Sequence, residues 1–157
     1  TDQGRVAYGP VAAEAVASAI RDLLLPHADV ATPNRFELAW LTGREVSDRE
    51  TTVRAAQALG SAESIVTSAP EPGDRLGLVR VTQTAAEVIA WERHRHVPRG
   101  TGDLFAALYR ACRCRGSSGG EAFALAAAQL KAAIDANLGA AVIDVPALVR
   151  SLAAGLR

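Results

Sequence analysis

The 157-residue sequence predicts a layered α/β domain, a sheet with flanking helices, and three observations carry that expectation. Stretches with apolar residues at helical spacing alternate with short apolar runs of strand length. Polar or glycine-bearing residues sit where strands give way to helices, the edge on which open α/β sheets bind ligands. No internal repeat or low-complexity tract breaks the order helix, strand, helix, helix, strand, strand pair, helices. Only about four strands follow an opening helix, so the reading is of part of a larger sheet, with strands expected before residue 1 and the chain 1–157 forming the C-terminal portion of a single domain.

Each element has a local reason. Residues 4–10 read as a turn-rich lead-in. Val11, Ala15, Val16, Ala19, Ile20, Leu23 and Leu24 recur at helical spacing until Pro26. Asp29-Val30-Ala31-Thr32 reads as a short buried strand, broken by Pro33-Asn34, after which a helix runs over 34–41 and stops at Thr42-Gly43. Ser47 with Glu50 three residues on is a capping-box pattern for the next helix, with Val53, Ala56 and Leu59 inward and Gly60 as its end. Residues 64–67 form a second buried strand and 69–74 a loop. Residues 75–82 and 87–92 form an antiparallel pair. A polar connector, 94–99, leads into Gly100-Thr101-Gly102-Asp103 and a helix. Residues 116–120 read as a loop before a long helix marked by Phe123, Ala127, Leu130 and Ile134. After a loop at 137–140, a closing helix covers 145–156 with Val149 and Leu152 inward. Trp40 and Trp91 read as packing residues.

Composition narrows the function. Hydrophobic residues make up 49% of the chain, enough for a real core. Lys+Arg and Asp+Glu both number 17, so bulk charge directs the chain to neither nucleic acid nor an acidic membrane. No apolar run reaches the roughly 18 residues of a membrane span, and the N-terminus lacks a signal-peptide pattern, so a cytoplasmic location is expected. Cys112 and Cys114 are two apart in a helical pattern and point to different sides, which favours neither a mutual disulfide nor a shared metal. The single lysine, Lys131, follows Gln129-Leu130 rather than a glycine loop, so any nucleotide phosphate is held by a device other than a Walker loop.

The Gly100 stretch concentrates the chemistry. Two glycines bracket a hydroxyl at a helix start, where unpaired N–H groups and the positive dipole end attract an anion. Asp103 is electrostatically out of place beside an anion unless it has a role, and a general base close to a phosphate is one such role; a plain turn is the other reading. Asn34 and Glu37 lie one helix turn apart. They serve either as an ordinary cap with an acid in the first turn or as a pair orienting water around a magnesium ion. Thr67-Ser68 is either a strand end or a pair of hydroxyls for phosphate. His94 and His96 are either exposed connector residues or contacts to a base or phosphate.

The three motifs together are more specific than each alone. Ala31 to Gly43 (with Thr32-Pro33-Asn34-Arg35-Phe36-Glu37), then Val66-Thr67-Ser68-Ala69, then Gly100 to Leu108, closely resemble the pyridoxal kinases of the ribokinase-like superfamily, specifically their C-terminal half. The resemblance implies a ribokinase-like fold and ATP-dependent phosphorylation of the 5′-hydroxyl of pyridoxal, pyridoxine or pyridoxamine. It puts Asp103 in the place of the catalytic base, which also meets the substrate, and Gly100, Thr101 and Gly102 in the anion hole. Asn34 and Glu37 fall where magnesium is organised, Thr32, Thr67 and Ser68 where the nucleotide is lined, and the connector with His96 near the nucleotide. The loop 137–140 resembles one near adenine. ATP and Mg²⁺ are the implied cofactors, pyridoxal the small-molecule partner, and a homodimer the implied assembly. Related hydroxymethylpyrimidine kinases usually place a cysteine where Asp103 stands, and related sugar kinases rarely keep the Thr-Pro-Asn-Arg-Phe-Glu-Leu string. Either of those activities, or a non-catalytic nucleotide-binding fragment, is the alternative. Arg99 departs from the small or polar residue expected before Gly100. The family's vitamin-ring contacts, and an acidic residue near magnesium, come from an N-terminal half.

Overall fold

A computed structural model describes residues 10–154, with side chains over residues 14–150. The lead-in before Pro10, Leu152 and the end of the closing helix lie outside these described side chains. The chain divides into two compact units, Thr1–Arg93 and His94–Arg157.

In the first unit, α1 (Pro10–Ala19) passes into a π turn (Ile20–Leu24) and a 3-10 turn (Leu25–His27) that accommodates Pro26. The predicted single helix is therefore three segments. Val16, Ile20, Leu23 and Leu24, its apolar stripe, are exposed. Strand β1 (Val30–Ala31) pairs in parallel with β2 (Glu63–Glu71), which pairs antiparallel with β3 (Arg75–Thr82), and that strand with β4 (Ala86–Glu92), giving the order β1-β2-β3-β4. Between β1 and β2 run α2 (Arg35–Thr42) and α3 (Arg49–Ala58). Gly43, at φ +64°, closes α2 as expected.

Two expectations change here. The cap of α3 is Asp48, not Ser47: the Asp48 carboxylate accepts the Thr51 N–H at 2.7 Å, and Thr51 Oγ1 accepts the Asp48 N–H at 2.9 Å. Glu50 is released to pair with Arg54 one turn on, at 2.6 Å. Strand β2 also runs on through 69–71, where a loop was expected. Pro70 is tolerated there because this end of β2 pairs in the ladder with β3 alone, so its other side needs no N–H.

Leu38, Ala55, Ala56, Val66 and Val79 form the core between α2, α3 and the sheet. Trp40 is exposed rather than packed inside, with the Arg21 guanidinium 5.4 Å from its ring centroid. Arg80 bridges Glu63 and Glu87 across three strands.

The second unit holds α4 (Thr101–Cys114), α5 (Gly119–Ala136) and α6 (Val145–Ala154). Its core is aromatic, with Phe105 stacked on Tyr109 at 6.1 Å and edge-on to Phe123 at 6.4 Å. Gly119 and Gly120 are helical, not loop, because Ser118 caps α5 in a box with Glu121. Val149 is exposed, contrary to its expected inward position, so α6 presents a different face. Cys112 is half-buried and Cys114 exposed, both as free thiols. Among the described residues no helix is long and apolar enough to cross a membrane.

Candidate active site

In the first unit the carboxyl end of β1 and the register shift within β2 gather the predicted residues. Pro33 O accepts the Thr67 N–H at 2.9 Å, and Asn34 and Thr67 form an isolated parallel bridge, so the motif after β1 lies directly beside the one in β2. Thr32 and Asn34 are half-buried and Thr67 is buried. Asn34 Oδ1 accepts the N–H groups of Phe36 and Glu37, both at 2.9 Å, while Glu37 Oε2 accepts the Asn34 N–H at 2.8 Å. This is the reciprocal capping box. It accounts for Asn34 and for one oxygen of Glu37. The second carboxylate oxygen, Oε1, makes no hydrogen bond among the described residues and stands exposed at the edge.

Ser68 occupies a left-handed conformation, φ +56°, rare for a non-glycine residue. It lies in the register shift between Val66 and Ala69, where the pairing of β2 with β3 is interrupted and a bulge bends the strand. The bend turns Thr67 and Ser68 out of a regular ladder. No sequence signal marks it, because serine has no preference for this region.

In the second unit, Gly100 adopts φ +89° as the N-cap of α4 and supplies no capping side chain. Helices α2, α3 and α5 are instead capped by Asn34, Asp48 and Ser118. The first-turn N–H groups of α4 are thus left to solvent or an anion. No atom lies within 4 Å of where a Cβ would stand on Gly100 or Gly102, so the turn is open above both.

Asp103 holds the third helical position of α4, the position from which Glu37 and Glu121 reach back to their own caps. Asp103 makes no such bond, and its carboxylate is exposed. The glycine turn is anchored from behind: Ala141 O accepts the Arg99 N–H at 3.0 Å, which ties it to the segment following loop 137–140. The Arg99 side chain is exposed. His94 Nε2 lies 4.0 Å from Asp135, and His96 is exposed in the connector.

The donor chemistry fits the implied groups. Mg²⁺ keeps several waters and takes few protein ligands. One carboxylate oxygen not used by the capping box suits such a hydrated ion, and no cluster of three or more His, Cys, Asp or Glu side chains among the described residues makes a fuller cage. An uncapped glycine helix start suits phosphate oxygens. A separate open groove, lined by Arg21, Leu25, Pro26, Leu41 and Leu59, lies at the opposite, amino-terminal edge of the strands, away from these residues.

The short parallel strand pair, the helices that cross between its strands and the antiparallel pair that continues it belong to a ribokinase-like α/β fold. The pyridoxal kinase of Entamoeba histolytica shares that fold, with a TM-score of 0.83 over 97% of this chain and 55% of its own at 23% identity. Residues 8–146 match the profile of the phosphomethylpyrimidine kinase family, and the chain belongs to that family. It is similar to the pyridoxal kinase PdxY of Leifsonia xyli subsp. xyli, 37% identical over 69% of this chain and 40% of that protein. It is also similar to the pyridoxal kinase of Leishmania donovani in complex with ADP and pyridoxine, with a TM-score of 0.73 and 30% identity over 87% of this chain and 46% of that one. The chain spans about 40% of the length of the first curated relatives it matches.

Proposed function

We propose that this chain carries the phosphoryl-transfer machinery of an ATP-dependent kinase acting on the 5′-hydroxyl of pyridoxal, pyridoxine or pyridoxamine. The observation that carries the reading is Asp103: a helix-start carboxylate that its own helix does not use, beside an uncapped glycine turn. The relatives named as pyridoxal kinases, and the neighbour holding ADP with pyridoxine, supply the substrate class.

Each residue then has a task. Asp103 accepts the proton of the attacking hydroxyl. The N–H groups of the Gly100–Gly102 turn hold developing negative charge on the transferred group. Glu37 Oε1, with Asn34 fixing the Glu37 backbone, orients water around magnesium. The hydroxyls of Thr32, Thr67 and Ser68, and the His96 ring, contact the nucleotide. When bound, Mg²⁺–ATP supplies an electrophilic γ-phosphoryl group with part of its charge neutralised. The working enzyme is proposed as a cytoplasmic homodimer on the family resemblance.

A second reading, hydroxymethylpyrimidine phosphorylation, is favoured by the family's own description; Asp103 in place of the cysteine usual in those enzymes argues against it. Calorimetric titration of the chain with ATP and Mg²⁺, beside a turnover panel of alcohols, tests the proposal. Binding with transfer to pyridoxal supports it, and preference for hydroxymethylpyrimidine moves it to the second reading. Binding without transfer to any alcohol identifies a nucleotide-binding fragment, and absence of binding overturns all three.

A further inference from the structure

We infer that Arg49 and Glu71 are positioning residues that hold the Thr67–Ser68 bend of β2 in its working shape, an inference that rests on the nucleotide-facing role proposed for that bend. Glu71 is the last residue of β2, three beyond Ser68, and its side chain is fully buried. Arg49 Nε lies 3.1 Å from each of its carboxylate oxygens, and Nη2 donates to Oε2 as well. Such a fork-to-carboxylate grip fixes direction as well as distance. Arg49 is the first residue of α3, where a cation opposes the helix dipole. Helix stability alone would not put it there.

Gly77 on β3 completes the seat. A Cβ at that position would stand 3.1 Å from Glu71 Cγ and 3.3 Å from Ile89 O, so the absent side chain makes room for the carboxylate. Residues from α3, β2 and β3 thus converge on one buried charge.

Its location gives this clamp its consequence. Upstream of the bend, β2 is held by β1 and β3; at the bend, the Thr67 N–H is held by Pro33 O; downstream, the segment Ala69–Glu71 pairs with β3 alone in the ladder. The left-handed backbone of Ser68 persists only if both flanks are fixed. The Arg49–Glu71 grip is the side-chain anchor on the downstream flank, and through it the two hydroxyls keep their direction.

The test compares the unaltered chain with the double variant Arg49→Met/Glu71→Leu, which removes both charges and leaves none buried alone, and with Arg49→Lys, which keeps the charge but loses the fork. Thermal unfolding, amide hydrogen exchange and ATP titration are read on each. We expect the double variant to melt close to the parent, with exchange at Thr67 and Ser68 about tenfold faster while Val79 and Val81 keep their protection. ATP affinity is expected to fall about tenfold, the usual effect of losing an orienting partner. Arg49→Lys is expected to fall between the two, and it decides the matter alone if the double variant does not fold. Unchanged exchange at Thr67 and Ser68, or exchange raised evenly along β2 and β3, overturns the inference. If the unaltered chain binds no ATP, the proposed function fails, and the exchange comparison still decides the clamp.

Discussion

Asp103 and Glu37 occupy the same position in their helices, three residues after the cap, yet the chain uses them differently. Glu37 closes a box on Asn34 with one oxygen, whereas Asp103 follows a glycine cap and closes nothing. Replacing Asp103 by asparagine is therefore expected to leave the melting temperature unchanged while lowering pyridoxal turnover by roughly 10²- to 10⁴-fold, the usual contribution of a general base; coupled ATP-consumption kinetics beside a thermal melt read both. Glu37→Gln separates two roles in one residue. The amide oxygen still accepts the Asn34 N–H, so stability holds, but the carboxylate charge is gone, so the magnesium concentration for half-maximal activity is expected to rise. The helix-start placement of both residues was legible in sequence because it is local: a glycine–acid string and an Asn-x-x-Glu string carry their own spacing. Ser68 was singled out by its hydroxyl, but its left-handed backbone was not legible, because a bend between strands imposes it and no neighbour in sequence announces that bend.

At the scale of the element, the helix starts decide pH behaviour. The Thr51 backbone N–H, followed by its hydroxyl, holds the Asp48 carboxyl below the usual carboxylate range, and the Ser118 hydroxyl and N–H do the same for Glu121. Both folded-state values are lowered, so their stabilisation is present above the unfolded value of about 4 and is lost as pH falls through the folded value. Melting temperature is expected to be flat from pH 7 to 5 with respect to these groups and to decline below about 4. Asp48→Asn is expected to weaken that acid-side decline, as scanning calorimetry across pH would record. The α3 start also shows how sequence reading slips. Ser47-x-x-Glu50 and Asp48-x-x-Thr51 are overlapping box patterns, one residue apart. Asp48 and Thr51 take the box, and this frees Glu50 for Arg54 and puts Arg49 at the first helical position, within reach of Glu71.

For the molecule as a whole, the first unit is built on Leu38, which is completely buried between α2, α3 and the sheet. Leu38→Ala is expected to cost about 2–5 kcal/mol, from lost transfer energy plus a cavity that close packing cannot fill, and urea unfolding measures it as a lower midpoint with an unchanged slope. The apolar residues Leu23, Leu24 and Trp40, inward by spacing alone, are exposed in the first unit, because periodicity says which residues share a face and not whether anything covers it. The sequence by itself determined the element order, the antiparallel pair (expected at 75–82 and 87–92, observed with one residue more), the stop at Gly43, the inward Phe123, and the three motifs that carry the family. These depend on neighbours a few residues apart, where propensity, capping and spacing act. Only the tertiary structure decided that Pro33-Asn34 lies against Thr67, that β2 bends at Ser68 and continues to Glu71, and that a buried carboxylate 22 residues from Arg49 grips it. Those contacts join residues distant in sequence, and their energies come from strand pairing and burial, which local spacing does not encode.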